Sequence, residues 1–152
     1  ISKSINDISE KYGEKVIFNN KEYHLFPTYK SLKNISIEEL RNFKVGFRAE
    51  YIRDFLDKYE TLKDINKLNT KEALNELMKV KGIGLKVSSC ILLFRYKRLD
   101  TFPIDTWVKK SISDLYKIKN DQKTIEKFAE QTYKEYSGLA IQYLFHSKRN
   151  TN

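Results

Sequence analysis

The run Lys81-Gly82-Ile83-Gly84 stands between two stretches of helical periodicity, one opened by Asn69 and ending near Val80, the other from Leu85 to about Lys97. Two glycines one residue apart let the backbone turn sharply and approach another backbone. Ile83 is expected to plug the turn into the core. The amides that open the second helix have no intrahelical partner, and with the helix dipole they form a seat for an anion such as phosphate. That is a sequence-independent grip on a nucleic-acid backbone. An ordinary αα-corner with glycine caps reads the same way at this level.

The rest of the chain keeps the helical rhythm. Ile1 to Tyr12 is a helix with Ile1, Ile5 and Ile8 on one face. Residues 16–26 read as a short β-hairpin turning at Asn19-Asn20 and ended by Pro27. Tyr29 to Asn34 is a short helix. Ser36 with Glu39 is a capping box for a helix to about Phe43, and Asn69 with Glu72 is another. Phe47 to Tyr59 is a longer helix with Tyr51, Phe55 and Leu56 inward, and Leu62 to Leu68 a short one. Asp105 opens a helix to Tyr116; Thr124–Glu135 and Gly138–Lys148 close the chain. Five glycines and two prolines in 152 residues exclude a low-complexity chain. The expected fold is mostly α, many short helices and one hairpin, in a single domain over 1–152.

Charge points to a partner. Lys and Arg number 29 against 20 Asp and Glu, a net +9, which favours polyanions, nucleic acid first. One cysteine excludes a disulfide framework and a four-cysteine iron–sulfur cluster, and suits a reducing compartment. No apolar stretch is long enough to span a membrane. Residue 1 is Ile and the only methionine is Met78, so the chain is expected to be a piece of a longer protein. No secretory pattern begins at Ile1. The expectation is a cytoplasmic, nucleoid-associated protein, and the Lys/Ile/Asn-rich composition suits an AT-rich bacterial genome.

Lys86 lies in the first turn of the helix after the hairpin. The positive dipole end, with partial burial, favours its neutral amine, the nucleophilic form. Cys90 lies four residues on, on the same face; alone it reads as a small buried hydrophobe. Asp105 is an N-cap whose carboxylate is held rigidly. Beside an amine nucleophile it could stabilise a cationic sugar transition state and manage protons. His24 and His146 are too few and too far apart for a metal site; His24 reads first as hairpin packing.

Gly82-Ile83-Gly84-Leu85-Lys86 followed by Phe102-Pro103-Ile104-Asp105 resembles the helix-hairpin-helix–Gly/Pro–Asp superfamily of DNA glycosylases. Tyr23-His24-Leu25-Phe26-Pro27, Val45-Gly46-Phe47-Arg48-Ala49-Glu50-Tyr51 and Gly138-Leu139-Ala140-Ile141-Gln142-Tyr143-Leu144-Phe145 are similar, in order, to segments of its 8-oxoguanine branch. The resemblance implies a base-excision repair glycosylase and AP lyase, with Lys86 as Schiff-base nucleophile and Asp105 as catalytic carboxylate. Cys90 and Phe145 would sandwich the extruded base, as chemistry on a base requires taking it out of the stack. Phe47 would wedge into the duplex and Arg48 would bond the orphaned cytosine. Backbone amides around Gly82, Ile83 and Gly84 would hold phosphate, with His24 among the DNA-face residues. No cofactor is required; hairpin carbonyls could take a monovalent cation. The implied partner is duplex DNA with a damaged base, met by a monomer.

The chain departs from that pattern in three places. Where animal relatives carry a glutamine that reads the base edge there is Ile141; Gln142, one residue on, points about 100° away on an ideal helix. Where they have a histidine there is Trp107, read as core or as a wall of the site. The resemblance starts after the N-terminal sheet domain of relatives and the residues just before the point matching Ile1, so the chain is expected to be the C-terminal, helical, catalytic part of such an enzyme, without that domain. Two other readings share these features. One changes the base to another oxidised or alkylated one. The other is a helix-hairpin-helix module that binds DNA without chemistry.

Overall fold

A computed structural model of the protein describes residues 1–62 and 64–149. Residue 63, inside the helix expected over Leu62–Leu68, and residues 150–152 of the expected domain lie outside the described residues. Among the described residues there are nine α-helices and one two-stranded sheet. The mostly helical expectation with one hairpin holds.

The chain packs as two compact units, Ile1–Lys63 with Val80–Gly82, and Asp64–Lys79 with Ile83–Asn152. In the first, α1 (Ser2–Tyr12) leads to β1 (Lys15–Phe18) and β2 (Lys21–His24), antiparallel with Val16 opposite Tyr23. Asn19 and Asn20 both take positive φ, 48° and 58°, as a tight two-residue hairpin turn requires. Leu25 and Phe26 lie beyond the ladder rather than in it. Then follow α2 (Tyr29–Leu32), α3 (Ile37–Asn42) and α4 (Arg48–Leu62). Their core is Ile8, Leu32, Ile35, Leu40 and Leu56. Only Ile8 of the expected α1 face reaches it; Ile1 and Ile5 are exposed. The Ser36 box forms by half. Ser36 Oγ accepts from Glu39 N–H at 3.1 Å, while the Glu39 carboxylate is taken by Lys11. Arg53 ties the unit by donating to the carbonyls of Ile35 and Lys33.

The second unit holds a 3₁₀ turn (Ile65–Lys67), α5 (Thr70–Met78), α6 (Leu85–Tyr96), α7 (Thr106–Tyr116), α8 (Gln122–Thr132), a second 3₁₀ turn (Lys134–Tyr136) and α9 (Ser137–Arg149). Leu62 ends α4, so the helix expected over Leu62–Leu68 reduces to the first of those turns. Asn69 and Glu72 form the complete capping box at 2.9 and 3.1 Å. Arg98 donates to the carbonyls of Ile65 and Leu68 and pins the approach to α5. α8 starts at Gln122 behind an Asp121 cap, two residues before the expected Thr124, and ends at Thr132. Ile104, Val108, Ile112, Ile125 and Ile141 form the core beneath α7 to α9. Gly138 sits where a Cβ would meet the Thr101 carbonyl at 2.7 Å and Leu93 at 2.5 Å, so only glycine lets α9 start there.

Candidate active site

The helices that open with a capping side chain include α2, α3, α5, α7 and α8. α6 opens on Gly84, which has no side chain to accept a bond. Its first-turn amides are therefore left to an outside acceptor, and an anion is the favoured one. Lys86 lies in that turn and is exposed rather than partly buried. Ser88 Oγ, one turn further, donates back to the carbonyls of Gly84 and Leu85 at 3.1 and 2.9 Å.

Lys86, Cys90 and Phe94 follow at four-residue intervals along α6 and line one cleft of about 200 Å³. Pro103, Asp105, Trp107 and Val108 line it from the start of α7, and Ile141, Gln142 and Phe145 from α9. Helix-capping places Asp105: its Oδ1 accepts from Val108 N–H at 2.9 Å, holding an exposed carboxylate at the cleft. The Trp107 ring meets Phe145 edge-on at 5.1 Å, so Trp107 is a wall of the cleft while it also packs on the core. Phe145 is half-exposed, and Cys90 half-buried. The volume lies below the roughly 300–1,000 Å³ of drug-sized sites. An open slot with aromatic and sulfur walls suits a flat heterocycle.

Two expectations about this cleft change. Ile141 is buried in the core and still reaches the cleft wall. Gln142 does not turn away from it: at the exposed rim its long side chain makes up for the 100° offset, and it lines the same cleft. Phe94, missed in the sequence, was legible as the next member of the 86, 90 series. Pro103, part of the Phe102–Asp105 motif, is buried beside Asp105 and forms a further wall.

The hairpin turn Val80–Gly82 belongs to the first unit, with Phe47, Arg48 and His24. Gly82 has φ +81°, and a Cβ there would fall 2.2 Å from the Tyr51 ring. Gly84 has open space around it. Ile83 is half-buried rather than a core plug. Phe47 is exposed ahead of α4, its ring edge-on to Tyr51 at 5.7 Å, with the Arg48 guanidinium over it at 4.7 Å. His24 Nε2 lies 3.4 Å from Glu22 across the strand face. The carboxylates that flank the hairpin sit below their ordinary range. Asp54 is lowered by its bond to Lys58 and by the Lys81 N–H, and Glu50 chiefly by its bond to Arg41. Among the described residues no cluster of three or more His, Cys, Asp or Glu could hold a metal ion, and no helix is long and apolar enough to cross a membrane.

Comparison with known proteins gives the family. Residues 1–135 match the model of the HhH-GPD superfamily base excision DNA repair proteins. The chain belongs to that superfamily. It is 27% identical to the protein named "Probable N-glycosylase/DNA lyase" of Methanothermobacter thermautotrophicus, over 99% of this chain and 55% of the relative. It is 32% identical to N-glycosylase/DNA lyase OGG1 of Arabidopsis thaliana, over 82% of this chain and 38% of that protein. A solved neighbour is the 8-oxoguanine glycosylase/lyase of Clostridium acetobutylicum in complex with double-stranded DNA containing cytosine opposite 8-oxoguanine. It shares 38% identity and a TM-score of 0.88, over 99% of this chain and 53% of that one. The chain thus spans about half the length of these relatives or less.

Proposed function

We propose that this chain is the catalytic part of a bifunctional DNA glycosylase and AP lyase that removes 8-oxoguanine from duplex DNA. The observation that carries the reading is the convergence of Lys86, Asp105, Cys90 and Phe145 on one cleft. In this reading Lys86 Nζ attacks C1′ of the damaged nucleotide as the glycosidic bond breaks and the base departs. The attached amine gives up a proton and the C1′–O4′ bond opens with O4′ taking up a proton, which leaves a protonated Schiff base; a proton then leaves C2′, and the 3′ phosphate is expelled by β-elimination. The Asp105 carboxylate stabilises the positive charge that grows on the sugar. Cys90 and Phe145 hold the two faces of the extruded base, Trp107 and Ile141 wall it, and Gln142 offers the polar group for its edge. Phe47 fills the gap in the stack and Arg48 bonds the partner base with its planar fork. His24 belongs to the DNA face, and Gly82, Ile83 and Gly84 meet phosphate.

No cofactor is needed for this sequence of steps. The hairpin 81–84 offers backbone carbonyls and no carboxylate of its own, a donor set that fits a weakly held monovalent cation better than a divalent one. We place the protein on the nucleoid of a bacterium, acting as a monomer: the proposed substrate is genomic DNA, and the Lys/Ile/Asn-rich composition suits an AT-rich bacterial genome.

The direct test uses a duplex with one 8-oxoguanine opposite cytosine, following free base and strand scission together. The wild-type chain should give both, and Lys86→Gln neither, while the variant still binds a duplex with an abasic analogue. Binding without product from the wild type would favour the non-catalytic module. The apolar Ile141 in the cleft wall favours a second reading with another oxidised or alkylated base. Release of such a base in preference to 8-oxoguanine would establish it.

A further inference from the structure

Phe47, Tyr51, Asp54 and Lys58 recur at intervals of four, three and four residues, a single stripe along α4. Each member touches a neighbour. Phe47 meets Tyr51 edge-on, and the Tyr51 ring lies where a Gly82 side chain would be. Asp54 Oδ2 accepts the Lys81 N–H at 2.7 Å and the Lys58 ammonium at 2.8 Å. The stripe therefore joins the start of α4 to the hairpin turn, through an Asp54–Lys81 bond that spans 27 residues of chain.

A carboxylate in this place is costly if the hairpin meets phosphate, since like charge opposes a polyanion. Its geometry explains why it is tolerated. Lys58 offsets its charge. The bond it accepts engages the inward-facing donor of the turn, next to a glycine whose backbone would otherwise sample several conformations. Binding by a preformed loop avoids the ordering cost of a mobile one.

We propose that Asp54 is a positioning residue for DNA binding: by holding the Lys81 N–H it fixes the hairpin over the Tyr51 ring, so that the turn is already in its phosphate-binding shape in the free protein. This rests on the reading that the hairpin contacts the DNA backbone. The test has two arms. Amide hydrogen exchange on the free chain should show Lys81 N–H at least tenfold slower than in an unfolded peptide, and less than threefold slower in Asp54→Ala. The second arm measures Kd for a duplex with a tetrahydrofuran abasic analogue and the trapping rate on an abasic duplex at saturating DNA. Asp54→Ala should raise Kd about tenfold and change the saturated rate less than threefold. Asp54→Asn, which keeps an acceptor for Lys81 N–H, should restore Kd to within threefold of wild type.

Unprotected Lys81 N–H in the wild type overturns the proposal with no variant needed, so a variant that fails to fold does not rescue it. Equal Kd in wild type and Asp54→Ala also overturns it, as does an Asn variant no better than Ala. If the wild type shows the protection but binds no duplex, the DNA-repair reading fails and the fixed hairpin stands.

Discussion

Gly82 and Gly84 look alike in the sequence and do different work. Gly82 adopts φ +81° with the Tyr51 ring where its Cβ would be, so the fold itself requires it. Gly84 has φ −94° and open space, so nothing among the described residues excludes a side chain. Gly82→Ala should lower stability by about 1–3 kcal/mol, read from denaturant unfolding. Gly84→Ala should cost less, about 0.5–1 kcal/mol from its N-cap position, yet weaken binding of an abasic-analogue duplex more than tenfold. Equal stability losses with unaltered DNA binding for Gly84→Ala would contradict the assignment of that turn to phosphate. The spacing of the glycines was legible. Which one serves the fold depends on Tyr51, 31 residues earlier, and was not.

At the scale of elements, caps place the chemistry. Asp105 both starts α7 and faces the cleft. Asp105→Asn keeps an acceptor for Val108 N–H and removes the charge. Thermal unfolding should then stay within a degree or two of wild type while the single-turnover rate falls at least a hundredfold. A large loss of stability with little loss of rate would make Asp105 a cap and nothing more. Asn69→Ala, by contrast, should cost about 1 kcal/mol and leave the chemistry alone. The Asn69 box was legible because both its bonds are local. The Ser36 box looked the same and half-failed, because Glu39 is claimed by Lys11, 28 residues away. Helix ends were readable where a cap is local, as at Asn69 and Asp105. They shifted where tertiary packing extends a helix, as α4 runs on to the buried Leu62.

At the scale of the molecule, charge governs both stability and binding. Glu22, Glu39, Glu50, Asp54 and Asp121 all sit below their ordinary values. The largest cause is an ion-paired hydrogen bond for the first four and the Thr124 N–H for Asp121. A depressed carboxylate contributes stability that is complete above its unfolded value and disappears as pH falls through its folded one. Tyr12, pushed up to about 12 by burial and Glu39, works in the other direction and loses its contribution as pH rises above 10. Denaturant midpoints should therefore be flat from about pH 5 to 9 and fall on either side. An Asp54→Asn chain should lose less on acidification than the wild type; parallel acid limbs would show that Asp54 contributes nothing. The cleft was legible in part, because Lys86 and Cys90 share a helical face and Asp105 belongs to a motif. Their meeting with α9 depends on how α6, α7 and α9 pack, which no local spacing encodes.

In the proposed function Lys86 is the nucleophile of a DNA glycosylase and lyase. Borohydride trapping tests it most directly, using duplexes with 8-oxoguanine opposite cytosine or an abasic site, followed by mass mapping of the adduct. A covalent protein–DNA band should form with both duplexes, with the adduct on Lys86 and no band for Lys86→Gln. A band that persists in Lys86→Gln, or no band from either duplex with a chain that binds both, would contradict it.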